Sequence, residues 1–196
     1  MPPRRPLRSV PVVIVHGWRG SEPKHWQSWL AAQLLDAGRE VRYPDLPDVE
    51  TPSLDAWLSA LDATLAGLPE EGFDVVAHSL GAVLWLHHVA ADSDAPRPAR
   101  VALVAPPSPA TRIPEIVGFF PPPLDIDLVR HAGGGTVLVG GEGDPYTPEG
   151  IGAAYGLPLK IATTVIPGGA HLNVDTGYGP WPAVLSWCNR DNLAFY

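Results

Sequence analysis

Three residue types that together can move an acyl group occur in this chain in a particular order: Ser79, then Asp144, then His171. A serine hydroxyl is a poor nucleophile until a base takes its proton, and the base works only if a third group holds it in the right tautomer. Each candidate stands where a strand should end. Ser79 follows the apolar run 73–77, Asp144 follows 136–140, and His171 follows 163–166 through the turn Pro167-Gly168-Gly169-Ala170. Groups at the C-terminal edge of a parallel sheet converge however far apart they lie in sequence. Each residue also has a duller reading. Ser79 could simply cap the helix after it, Asp144 could be a turn residue before Pro145, and His171 could be a surface histidine in a glycine-rich loop. Asp125 and Asp127 are rival acids, placed after the preceding strand. All three occurring in order at strand ends is harder to produce by accident than any one of them.

The stretch that must hold the serine is 73–91, FDVVAHSLGAVLWLHHVAA. Phe73, Val75, Val76 and Ala77 read as a strand buried on both faces, and Leu80 to Ala91 as a helix packed on a sheet. No loop residues separate them. A side chain at such a corner is pushed out of the backbone in a strained conformation, its oxygen free at the helix N-terminus. Ala77 and Gly81 are small enough to let strand and helix approach. The pattern resembles the nucleophile elbow of an alpha/beta-hydrolase, with alanine at the first glycine of G-x-S-x-G. A developing oxyanion needs two N–H donors. One is expected from Leu80, at the helix N-terminus, and the second from Trp18 in the loop after the first strand, braced by His16. Trp18 is also placed to line an acyl pocket, together with Phe119 and Phe120.

The rest of the chain supplies the frame. Strands are expected at Val10–Val15, Val41–Tyr43, Val101–Ala105, Thr136–Gly140 and Thr163–Ile166, where β-branched apolar runs occur. Helices are expected at His25–Ala37, stopped by Gly38, at 54–66 behind an N-cap Ser53, at Pro148–Tyr155 and at Trp181–Asn189. Ala105 to Pro123 holds seven prolines and cannot make a long helix. A small or absent lid and an open site follow. Strands alternating with helices specify an α/β fold: a single domain over 10–196 built on a mainly parallel, doubly wound sheet with helices on both faces and a minimal lid. Residues 1–9, proline-broken and carrying Arg4, Arg5 and Arg8, are expected to be a loose N-terminal segment.

Composition narrows the function. The chain has 196 residues, 45% of them hydrophobic, which suits one well-buried core. A formal charge of −8 and a pI near 5.2 argue against nucleic acid or an anionic membrane as partner. The run 10–15 is too short for a signal peptide, and no segment reaches the length of a membrane span. Cys188 is the one cysteine, so no intramolecular disulfide can form, which suits the cytoplasm. His25, His78, His87, His88 and His131 have no carboxylate or cysteine partners at ligand spacing, so no metal is expected. Gly133-Gly134-Gly135 precedes a strand and lacks a following Lys-Ser or Lys-Thr, so it is not a phosphate loop. No cofactor is expected.

Several further features coincide: His16-Gly17, His25-Trp26, Trp29-Leu30, Tyr43-Pro44-Asp45-Leu46-Pro47, the elbow, Asp144-Pro145-Tyr146, Ala170-His171-Leu172-Asn173 and Gly179-Pro180-Trp181-Pro182. Over nearly its whole length the chain resembles the small serine hydrolases related to retinoblastoma-binding protein nine. The resemblance implies a compact, nearly lidless alpha/beta-hydrolase with Ser79, Asp144 and His171 as its triad, acting without a cofactor on small esters or amides, aminoacyl ones among them. Ala170 stands where those proteins have glycine. The Leu-x-Cys-x-Glu motif tied to retinoblastoma binding is absent, since Asn189 and Arg190 follow Cys188, so that partner does not carry over. The expected function is a serine hydrolase working through an acyl-enzyme. The alternatives are an acyltransferase, cyclase or perhydrolase using the same triad in a biosynthetic pathway, and a binding module with a vestigial site. Oligomeric state has no signature in the sequence.

Overall fold

A computed structural model describes residues 10–68, 72–91, 97–127, 129, 135–189 and 195. Segment 1–9, His131 and the pair Gly133-Gly134 lie outside them. Six strands form one sheet: β1 (Val12–Val15), β2 (Val41–Arg42), β3 (Asp74–His78), β4 (Arg100–Val104), β5 (Thr136–Gly141) and β6 (Thr163–Ile166). Their order is β2-β1-β3-β4-β5-β6 and every pairing is parallel. Pairing begins at Val12 rather than Val10 because Pro11 has no N–H to give; its carbonyl still accepts from the Asp74 nitrogen at 2.9 Å.

The strands read as unbroken apolar runs because both faces are covered. Val13, Val15, Val75, Ala77, Val101 and Leu103 meet α2 (Leu54–Leu65) and α3 (Leu80–Ala91) in one core layer. Their neighbours Val12, Ile14, Val76, Ala102 and Val104 meet α1 (Trp26–Asp36) and α5 (Pro182–Asn189) in the other. The expected helix 148–155 is displaced. Gly150 takes a φ of 81° and residues 148–149 form a turn, so a π-helical turn at Gly152–Gly156 runs into α4 (Leu157–Leu159) instead. Ser53 occupies the N-cap of α2 with extended backbone, but its hydroxyl makes no capping bond. Among the described residues between β4 and position 126, the one helical element is the 3-10 turn Val117–Phe119.

One buried ion pair ties the opposite edge. Asp74 and Arg100 open β3 and β4 in register, and the guanidinium grips the carboxylate at 2.6 and 3.2 Å while stacking 4.2 Å from the Trp187 ring. Arg100→Met takes both of these bonds from a buried carboxylate, and is expected to cost about 3–5 kcal/mol in urea unfolding.

Candidate active site

The geometry of the site starts at the corner between β3 and α3. Ser79 holds a φ of 54°, left-handed for a residue with a Cβ, and its N–H donates to the Val104 carbonyl of β4 at 2.8 Å. That bond locks the corner to the neighbouring strand. A Cβ on Gly81 would lie 2.7 Å from the Val15 carbonyl oxygen, and one on Gly17 would lie 2.7 Å from the Ser79 Cβ. Only glycine therefore lets β1 and its loop close on the serine.

The Ser79 hydroxyl lies 3.0 Å from His171 Nε2, and His171 Nδ1 lies 2.9 Å from Asp144 Oδ2. The Asp144 carboxylate can only accept, so Nδ1 carries the proton and Nε2 is left to accept from the hydroxyl. The other carboxylate oxygen, Oδ1, accepts the Tyr146 backbone N–H at 2.9 Å. All three side chains are buried. The loops bearing them touch, since a Cβ on Gly141 at the end of β5 would lie 2.5 Å from the Ala170 nitrogen. Ala170 itself sits at φ 44°, where glycine would be at ease. The Tyr146 ring leans on the imidazole with centroids 4.4 Å apart.

Ser79 and His171 open on a cleft of about 260 Å³. Trp18, Glu22, His25, Ile116, Tyr146 and Asp175 are among the residues that line it. Leu80 is the first residue of α3, a position whose N–H has no acceptor inside its own helix. Trp18 lies in the turn closed by the Gly20 N–H on the Gly17 carbonyl at 3.1 Å. Its indole Nε1 donates to the Glu50 carbonyl at 2.9 Å, and Arg19 stacks 4.2 Å over its ring while pairing with Glu50. His16 Nδ1 lies 2.9 Å from the Gly17 carbonyl and donates to it, bracing the same loop.

Two expectations fail here. Phe119 is fully buried, edge-on to Trp57 at 5.3 Å, and does not reach the cleft. Phe120 packs against the same core and is not at the cleft either; Ile116 and Pro107 of that segment are. Asp125 and Asp127 are exposed, with Asp125 Oδ1 accepting the Asp127 N–H at 2.8 Å, so the imidazole is faced by Asp144 alone of the three candidate acids. Sequence reasoning assigned Tyr146 no role at the site, and His78 only that of a histidine without ligand partners. The first lies two residues beyond Asp144 and the second directly before Ser79, so adjacency to the candidates was the available signal.

Burial keeps three histidines around the site, His16, His25 and His78, neutral. It pushes His25 down to about 4, helped by the nearby His171 and His16, and pushes His78 well below its ordinary value and His16 down as well. The unfolded chain takes up these protons near pH 6.5 and the native state does not, so stability falls as pH drops below 6.5. For His25 the loss continues to about pH 4 and then stops. His25 caps α1, its Nδ1 accepting the Gln27 N–H at 3.2 Å. His25→Asn keeps a cap without the titration, and between pH 7 and 5 it should lose about 2 kcal/mol less stability than the parent in urea unfolding.

The serine hydrolase family model matches residues 12–190. The chain is similar to the protein YdeN of Bacillus subtilis, 39% identical over 70 residues that span 36% of this chain and 36% of that one. The solved structure of the ydeN gene product superposes with a TM-score of 0.77 at 23% identity, covering 91% of this chain and 96% of that chain. A YdeN-like protein of Pectobacterium atrosepticum gives 0.64 at 21% over 90% and 86%. Est1E of Butyrivibrio proteoclasticus gives 0.62 at 16% over 95% and 90%. These likenesses show the alpha/beta-hydrolase fold, and with the family match they establish that this chain belongs to the serine hydrolase family.

Proposed function

We propose that the protein hydrolyses small esters or amides through an acyl-enzyme formed on Ser79. The observation that carries this reading is the unbroken chain of hydrogen bonds from the Ser79 hydroxyl through His171 to Asp144, opening on a cleft. Oγ attacks the substrate carbonyl carbon as His171 Nε2 takes its proton, and Asp144 steadies the resulting imidazolium. The carbonyl oxygen becomes an oxyanion held by the backbone N–H groups of Leu80 and Trp18, with the N-terminus of α3 adding its dipole. Nε2 then returns the proton to the leaving alcohol or amine, whose bond to carbon breaks. Water repeats the sequence on the acyl-enzyme and releases the acid.

The cleft is smaller than the ~300–1,000 Å³ typical of sites for drug-sized ligands, which supports short acyl groups. Pre-steady-state hydrolysis of p-nitrophenyl acetate tests the mechanism. A burst of nitrophenol close to one equivalent of enzyme is expected, and a linear release from zero with no trapped acyl-enzyme would count against it. Across p-nitrophenyl esters, kcat/KM should fall at least about tenfold from butyrate to dodecanoate. An equal or rising rate with chain length contradicts the small-substrate assignment.

A further inference from the structure

The loop that carries His171 is held in a shape that side chains avoid. Ala170 and Leu172, on either side of it, have φ of 44° and 50°, both in the left-handed region. Such a conformation persists only where surrounding contacts over-determine it. Two buried donors do so. Trp26 Nε1 donates to the Leu172 carbonyl at 2.8 Å, and His78 Nε2 lies 3.1 Å from the His171 carbonyl. A carbonyl can only accept, so Nε2 of His78 carries a proton and donates it. Burial keeps this ring neutral, so the donor is an uncharged imidazole in one tautomer.

His78 is the last residue of β3, directly before Ser79. Its ring contacts the His171 ring at 5.2 Å and stands edge-on to Trp26 at 5.6 Å. We propose that His78 is a positioning residue: it pins the backbone of His171 to the strand that presents Ser79, and so sets the approach of Nε2 to Oγ. This rests on the reading of His171 as the base. Neither His78 nor Trp26 exchanges a proton with substrate. A base displaced by about 1 Å loses on the order of a hundredfold in rate, so loss of the pin should appear in kcat and hardly in KM.

The test measures p-nitrophenyl acetate hydrolysis by His78→Phe, His78→Gln and Trp26→Phe, each checked for folding by circular dichroism. His78→Phe is expected to lower kcat roughly 10–100-fold with KM within about twofold. His78→Gln, whose amide restores an N–H at similar reach, should return to within about fivefold of the parent, and Trp26→Phe should lose at least about tenfold in kcat. A folded His78→Phe with kcat within twofold of the parent overturns the inference, as does a folded His78→Gln that falls as far as His78→Phe. Should His78→Phe fail to fold, an active His78→Gln with a slowed Trp26→Phe supports the pin, and a Trp26→Phe of parental activity overturns it. If the parent protein neither hydrolyses the ester nor reacts with a fluorophosphonate, the assignment of Ser79 and His171 fails and the inference fails with it. An active, labelled parent beside an equally active His78→Phe sinks the inference alone.

Discussion

Ser79→Ala is expected to lower turnover of p-nitrophenyl acetate by about a millionfold, and His171→Ala by about as much. The double variant should be scarcely worse than either. The reason lies in the geometry: with the hydroxyl 3.0 Å from Nε2, the proposed mechanism has the serine attack only as its proton leaves, so either residue without the other would have nothing to do. Residual activity over water should come from the proposed oxyanion donors, the Leu80 and Trp18 N–H groups, which both variants keep. Neither change should unfold the protein. Ser79 takes its left-handed φ of 54° through a backbone bond to Val104, and alanine can form that bond equally well. Steady-state kinetics with matched thermal unfolding curves check both parts. Single losses that multiply in the double variant would show that the two residues act independently.

Asp144→Asn is expected to lower kcat by about ten-thousandfold while leaving the fold intact. Asp144 spends one oxygen on the Tyr146 N–H at 2.9 Å and the other on His171 Nδ1 at 2.9 Å. In an asparagine the carbonyl oxygen stays with the Tyr146 N–H, the only partner there that must donate, and the NH2 then faces Nδ1. Nδ1 must accept, so the ring proton moves to Nε2, where it blocks transfer from the serine hydroxyl. Recovery of activity at high pH, where hydroxide can take the serine proton directly, would support a tautomer fault. A loss under tenfold would mean that Asp144 is only a turn residue, the duller reading of its place before Pro145.

Much of this was legible in the chain. β-branched apolar runs announced a parallel sheet covered on both faces, and the serine, aspartate and histidine each followed such a run. What stayed hidden depends on where side chains point when no periodicity constrains them. In the proline-broken stretch after β4, Phe119 and Phe120 could face the cleft or the core with equal sequence signal; the 3-10 turn sends Phe119 against Trp57. The bond from His78 joins residues 93 positions apart, and no local pattern encodes it. Gly17 stood out only beside His16, and nothing in the sequence registers what the structure demands of it, close approach to the Ser79 Cβ. The helix expected at 148–155 slipped because Gly150 adopts a positive φ that helical spacing does not register.

The central claim is that Ser79 is the nucleophile. Its most direct test is reaction of the protein with a fluorophosphonate, followed by mass spectrometry of the intact chain and of its peptides. One adduct per chain is expected, on the peptide bearing Ser79, absent from Ser79→Ala and strongly slowed in His171→Ala. An unlabelled parent protein, or an adduct that persists at the same rate in Ser79→Ala, would contradict it.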